Sequence, residues 1–219
     1  MLDLDFDFLE YSGDDFVDGF LTTFQVSVVA LVLALALGTV IAVFRISGAK
    51  TLEAFGTAYV EFIRNTPLVI QIFFFYAGLP SLGINLPTFW VGSLGLAIYT
   101  SAFIAEVIRA GIQAVPKGQM EAARSSGLSY VQAMWYVILP QAFKLIIPPL
   151  GNQFINLVKN SSVLAIIAGG DIMYVGDVVG AEIDITPVYL FVALLYLAMT
   201  IPLSLLVNFL ERRWARTGA

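Results

Sequence analysis

The chain has no cysteine and no histidine among its 219 residues. Without cysteine it forms no disulfide and holds no metal on thiolates. Without histidine it lacks the commonest general base and metal ligand. Charge is scarce as well. Only 12% of the residues are Asp, Glu, Lys or Arg, where a soluble domain carries roughly a quarter. The first basic residue is Arg45, and Asp3, Asp5, Asp7, Glu10, Asp14, Asp15 and Asp18 all precede it. A secretory signal needs a basic start, so this acidic one predicts no cleaved signal peptide. A Gly-x-x-x-x-Gly-Lys-Ser/Thr phosphate loop is also missing. With no clustered carboxylates at membrane depth, these absences argue against an enzyme.

What remains is apolar. Hydrophobic residues make up 59% of the chain, and the mean hydropathy is +0.87. The class is a polytopic helical membrane protein, one domain long. The net charge of -5 says little about partners, because acids and bases are segregated along the chain.

Five apolar runs are long enough to cross a bilayer at about 1.5 Å per residue. The first spans Phe20 to Phe44, with Ala30, Ala34, Gly38 and Ala42 every four residues, a stripe that lets another helix come close. From Thr51 the pattern is amphipathic. Leu52, Phe55, Tyr59, Phe62 and Ile63 share one face, and Glu53, Thr57, Glu61 and Arg64 the other, with Glu61 and Arg64 spaced to pair. Pro67 kinks this run; Leu68 to Leu79 is strongly apolar, with Gln71 its one strongly polar side chain, and together Tyr59 to Leu79 make a second, broken span. A break beside Arg64-Asn65-Thr66 leaves backbone carbonyls that must face protein or a water-filled cavity.

The third span, Val91 to Ile112, contains Glu106. An ionisable residue in a span is a candidate functional group. It is equally a candidate for a structural ion pair with Arg109 or Arg64. The fourth, Ile138 to Ile167, is the most informative. Gln141, Lys144, Pro148, Asn152, Asn156 and Lys159 fall on one face, and Gln153 and Asn160 widen it. Lys159-Asn160-Ser161-Ser162 then places a cation and hydrogen-bonding groups inside the membrane domain. Such a strip lines a polar pathway, or it is a hydrogen-bond network between helices. Gly169-Gly170 ends the run, and Asp171 to Pro187 is acidic with no base. The fifth span covers Val188 to Leu210.

Basic residues follow span one (Arg45, Lys50), separate spans three and four (Arg109, Lys117, Arg124) and follow span five (Arg212, Arg213, Arg216). The other connections have none. The alternation predicts an N-terminus outside and a C-terminus in the cytoplasm. Residues 1–18 are then an acidic extracellular tail, either solvated or meeting a partner, and residues 115–140 a cytoplasmic loop. Within that loop Met120-Glu121-Ala122-Ala123-Arg124-Ser125-Ser126-Gly127 is a polar island. It reads as an ordinary loop or as a compact knob of two short helices about a glycine turn. An odd number of spans disfavours an internal inverted repeat and points to a two-fold relation with a second chain.

The island resembles the cytoplasmic signature of permease subunits of ATP-binding-cassette importers, the polar amino acid uptake family. That signature is Glu-Ala-Ala, three residues, Gly, nine residues, Ile-x-Leu-Pro. Here it reads Glu121-Ala122-Ala123, Gly127 and Val137-Ile138-Leu139-Pro140, with Val137 in place of Ile. Arg64-Asn65-Thr66-Pro67-Leu68-Val69-Ile70-Gln71 is similar to the subfamily's Arg-Gly-Thr-Pro-Leu-x-x-Gln, with Asn65 for Gly. Ser101 to Arg109 and Leu139 to Ser162 are similar too, including Pro148-Pro149-Leu150-Gly151-Asn152-Gln153.

The resemblance implies an all-α, five-span type I importer fold, with residues 1–219 forming a single transmembrane permease domain. It also implies a second permease chain, ATPase subunits that bind the ATP and Mg, an extracytoplasmic solute-binding protein, surrounding lipid and an amino acid substrate. It implies no cofactor in this chain and no nucleic acid, in a prokaryotic inner membrane. Glu121, Ala122, Ala123, Gly127, Leu139 and Pro140 would be the ATPase-coupling residues. Candidates for the substrate pathway are Thr66, Gln71, Glu106, Asn152, Asn156, Lys159, Asn160 and Ser161, with Lys159 drawing the carboxylate and Glu106 the amino group. Two other classes remain: an ion-coupled transporter with Glu106 and Lys159 as a charge relay, and a membrane scaffold whose strip serves only stability.

Overall fold

The computed structural model describes residues 5–215, and side chains as far as residue 213; Asp3 and Arg216 of the charge pattern lie outside the described residues. Every regular element among the described residues is helical. Four helices are long and apolar enough to cross a membrane, and there are five candidates when one bent pair counts as a single span.

The first helix, α1 (Leu9–Ile46), begins well before its apolar run. Phe8, Ser12, Phe16 and Gly19 are buried, while Asp14, Asp15 and Asp18 stay exposed. The Phe16 ring lies edge-on to Phe191 at 5.1 Å, so aromatic packing extends the helix. The acidic stretch is therefore half tail and half docked amphipathic helix. Deeper in, the small-residue stripe meets α5 (Thr88–Gln113). Ala30, Ala34 and Ala42 are 0% exposed. A Cβ on Gly38 would stand 2.7 Å from Ile104 Cγ2 and 2.8 Å from the Ser101 carbonyl. Only glycine permits that approach.

Between them run α2 (Lys50–Arg64) and α3 (Leu68–Phe73), bent by 101° at Pro67. The buried side of α2 is Gly56, Val60 and Ile63. Leu52, Phe55 and Phe62, expected on the packed face, are exposed. In a chain solvated by lipid, apolar side chains need no protein cover, so the hydrophobic face does not mark the core. The expected Glu61–Arg64 pair is replaced: Glu61 accepts from Asn65 Nδ2 at 3.1 Å, and Arg64 lies over the Phe103 ring, 5.4 Å from its centroid.

A π-helical turn, Phe74–Gly78, leads from α3 into α4 (Leu79–Ser81). A second, Met134–Ile138, joins α7 (Tyr130–Ala133) to α8 (Leu139–Asn160). Each precedes a Leu-Pro pair, Pro80 or Pro140, whose missing N–H breaks the i to i−4 ladder; the wider turn absorbs the change. Beyond α8 the chain tightens into a 3-10 helix, Ser161–Ile167, and stops with Ala168 at φ 53° and Gly170 at φ 70°. The acidic segment that follows is not a plain loop. It forms α9 (Ile172–Gly180), packed against α1 and α10 (Ile185–Ala215).

Candidate functional site

The polar island is α6 (Lys117–Ser125). It ends in a Schellman stop: Leu128 N donates to Ala123 O at 3.2 Å and Gly127 N to Arg124 O at 3.0 Å. Gly127 takes φ 89°, which side chains with a Cβ resist. The chain restarts at once with a capping box, Ser129 and Gln132 exchanging hydrogen bonds. The expected second short helix is thus the first turn of the long α7–α8 run. Glu121, Ala122, Gly127 and Pro140 are exposed, Leu139 is half-buried, and Ala123 is buried. Beneath them Val115, Ile138, Ala142 and Ile146 form a small core, with Met120 and Met134 packed on it. Arg124 donates to the Leu128 carbonyl at 2.9 Å. The island is a rigid, exposed knob seated on the ends of α5 and α8.

Those same two helices enclose a cavity of about 320 Å³. Tyr99, Thr100 and Phe103 line it from α5, and Gln153, Asn156, Leu157 and Asn160 from α8. Asn152, Asn156 and Lys159 are exposed, and Asn160 is half-buried. Polar groups dominate its α8 wall, while the α5 wall is aromatic. The strip joins the knob at its start: Gln141 Nε2 donates to Val137 O at 2.7 Å and contacts Gln119 Oε1 at 3.4 Å.

The other candidate residues go elsewhere. Gln71, 7% exposed, donates to the Ile63 and Thr66 carbonyls at 3.0 and 3.1 Å, satisfying the backbone at the Pro67 break. Thr66 Oγ1 donates to Phe62 O at 2.8 Å. Both line a separate, apolar cavity with Phe62, Phe74 and Phe75. Ser161 is buried and donates to Val158 O at 2.7 Å. Glu106 is held between two guanidiniums. Arg45 Nη1 of α1 lies 2.5 Å from its Oε2, and Arg109 binds both of its oxygens. Arg109 was the partner its i, i+3 spacing suggested; Arg45, remote in sequence, was not foreseen, and Arg64 takes no part.

Asp171, the first acid of the acidic stretch after the fourth span, is completely buried. It caps α9, its Oδ2 accepting from Met173 N at 3.1 Å, with the Tyr196 hydroxyl 3.5 Å away. Ile172 N donates to Thr23 Oγ1 of α1 at 3.0 Å. Burial pushes the Asp171 carboxyl up to about 6, and backbone N–H groups at the start of α9 partly offset that. The signal was present: Gly169-Gly170-Asp171 followed by an apolar run is a helix start.

Residues 34–216 match the family described as the binding-protein-dependent transport system inner membrane component. The chain belongs to that family. It is a membrane-spanning transport subunit, and ATP hydrolysis is carried by a separate subunit. It is 59% identical over 199 residues to a probable glutamine ABC transporter permease protein of Bacillus subtilis (strain 168), covering 90% of this chain and 92% of that one. A second probable glutamine permease of the same organism is 37% identical over 200 residues, again covering 90% and 92%. Among solved structures, an amino acid ABC transporter crystallised with histidines superposes with a TM-score of 0.90 at 38% identity, over 95% of this chain and 98% of that one. The inward-facing MetNI methionine ABC transporter gives 0.76 at 19% identity, over 96% and 99%, and shares the fold.

Proposed function

We propose that this permease carries a polar amino acid inward across a prokaryotic cytoplasmic membrane, driven by ATP bound with Mg on partner ATPase subunits. The relatives are named for glutamine and for amino acids, and that supports the substrate class. The observation that carries the reading is a juxtaposition: the exposed α6 knob and the polar cavity stand on the same two helices, α5 and α8. A lever and a pathway built on shared helices couple movement of one to opening of the other. In this reading α6 is the coupling helix and sits in a groove of the ATPase. A second permease chain, identical or homologous, completes the pathway. A solute-binding protein delivers substrate at the acidic face.

In this reading the chain makes five spans, with α2 and α3 as one broken span, and runs from an N-terminus outside to a C-terminus inside. The positive-inside alternation supports that orientation. Lys159 draws the substrate carboxylate, and Asn152, Asn156, Asn160 and Gln153 supply donors and acceptors for a zwitterion. Glu106, neutralised by Arg45 and Arg109, is a poor partner for the amino group or for a charge relay.

The test is uptake in proteoliposomes holding the complex with its ATPase and binding protein. Glu121→Lys abolishes ATP-driven uptake and weakens ATPase association while the purified permease melts as the wild type does; Gly127→Pro, which loses both the N–H to Arg124 O and the φ of 89°, disrupts the stop of α6 and abolishes uptake as well. Undiminished uptake in either variant overturns the coupling role. Uptake by this chain alone, following an ion gradient, establishes the rival class.

A further inference from the structure

The Arg45–Glu106–Arg109 cluster lies outside the cavity and outside the knob, yet it ties three helices together near the point where α5 leads into α6. Arg45 ends α1, and its side chain is 9% exposed. Its stem lies on Gly56 of α2, where a Cβ would stand 2.7 Å from Arg45 Cγ and 3.3 Å from the Ile41 carbonyl. Glu106 and Arg109 belong to α5, and Arg109 Nη1 also donates to Gln113 Oε1 at 2.6 Å, on the last residue of that helix. After a three-residue link α6 begins, with Val115 of the link buried in the small core under the knob.

The charge count makes Glu106 the keystone. One carboxylate serves two guanidiniums, so the group carries a net single positive charge. Removing the carboxylate leaves two cations facing each other at a partly desolvated site, where repulsion is far less screened than in water. The rest of the α1–α5 seam is close-packed but apolar, and in lipid such a seam has no hydrophobic drive against sliding. An ion pair fixed on both sides resists that sliding.

We propose that Glu106 is a positioning residue that yokes α1 and α2 to α5, so that displacement of α6 reaches all three helices as one body. This rests on the coupling role assigned to α6 above.

The chain's lack of cysteine allows spin labels to be placed at will. In the reconstituted complex, labels at Val43→Cys on α1 and Ala110→Cys on α5, both exposed positions, report the seam. The distance between them stays the same in nucleotide-free and ATP-trapped states. With Glu106→Gln it broadens and becomes state-dependent. Substrate moved per ATP hydrolysed then falls about tenfold, equivalent to about 1.4 kcal/mol of lost coupling, at an unchanged KM for the loaded binding protein; Glu106→Asp recovers part of it.

A wild-type distance change beyond about 3 Å between states, larger than the shift of a packed helix pair, overturns the proposal. So does an unaltered transport ratio in Glu106→Gln. A raised KM at a constant ratio also overturns it and makes Glu106 a substrate contact. If Glu106→Gln does not assemble, the wild-type label pair still decides. Failure of wild-type ATP-driven uptake counts against the importer reading alone, whereas intact uptake with a moving label pair counts against the yoke.

Discussion

Helix α5 is packed on two sides by helices of the same protein, and only one of the two seams opens into a cavity. Against α1 it meets Ala30, Ala34, Gly38 and Ala42 at backbone distance, with no room for a methyl group at Gly38. Against α8 it is just as tight at its α6 end, where a Cβ on Gly111 would collide with Ile146 Cγ1, but farther along it opens into a cavity of about 320 Å³ walled by Gln153, Asn156 and Asn160. Polar groups elsewhere in the molecule also fall into two kinds. Gln71, Ser161 and Asp171 are buried, and each hydrogen-bonds the backbone that holds a bend or a helix end. Asn152, Asn156 and Lys159 face outward from α8. A polar group spent on the backbone is structural; one left facing a cavity is available to a solute. The difference separates polar groups that hold the fold from polar groups left open.

The comparison can be broken most severely at the closed seam. Gly38→Leu forces α1 away from Ile104 and Ser101, and the expected cost exceeds about 3 kcal/mol, with loss of folded protein on size-exclusion chromatography. Next comes the capped end of α9. Asp171 is held up near 6 in the fold, above its ordinary 3.8. The native state therefore keeps its proton between those values while the unfolded chain has released it. Stability from this group is full below about pH 4 and is lost as pH rises through about 6, on the order of 3 kcal/mol in all. Asp171→Asn, which keeps an acceptor for Met173 N, removes that slope. Thermal unfolding from pH 4.5 to 7.5 in both proteins measures it, and parallel curves would dismiss the buried ionisation.

A smaller effect belongs to Gln71→Leu, which strands the Thr66 carbonyl and leaves Ile63 O only its bond from Thr66 N, at about 1–2 kcal/mol. Uptake should fall no further than the loss of folded protein explains. The smallest stability change falls on the strip. Asn160→Leu and Asn156→Leu shift unfolding by less than about 0.5 kcal/mol, yet they cut uptake tenfold or more. If these two variants instead lose stability in proportion to uptake, the open seam is structural and the contrast between the seams disappears.

Much of this was legible along the chain. The α1 stripe has a four-residue period, and it packs as that period requires. Pro67 bends its span, and Gly127 takes the left-handed turn that only a residue without a Cβ adopts freely. Of the polar face of α8, Gln153, Asn156 and Asn160 wall the cavity, while Gln141, Lys144, Asn152 and Lys159 are not part of its lining. The departures share a cause. Leu52, Phe55 and Phe62 are apolar but outward, because lipid accepts what water would not. Helix α9 and the start of α1 sit in acidic stretches whose buried sides were hidden among carboxylates. The π turns before Pro80 and Pro140 are adjustments to proline that no periodicity announces.

Local chemistry was enough to determine the long apolar runs, the break at Pro67 and the distribution of charge along the chain. The absence of a phosphate loop, the island's Glu-Ala-Ala and Gly spacing, and the alternation of bases are all properties of neighbours in the chain. Which polar residue does which work was decided only in three dimensions. Glu106 and Asn156 look alike in sequence, polar groups in apolar spans. Folding brings Arg45, remote along the chain, onto Glu106 and leaves Asn156 facing an opening. A buried charge takes its role from its nearest opposite charge, and that distance exists only once the helices have packed.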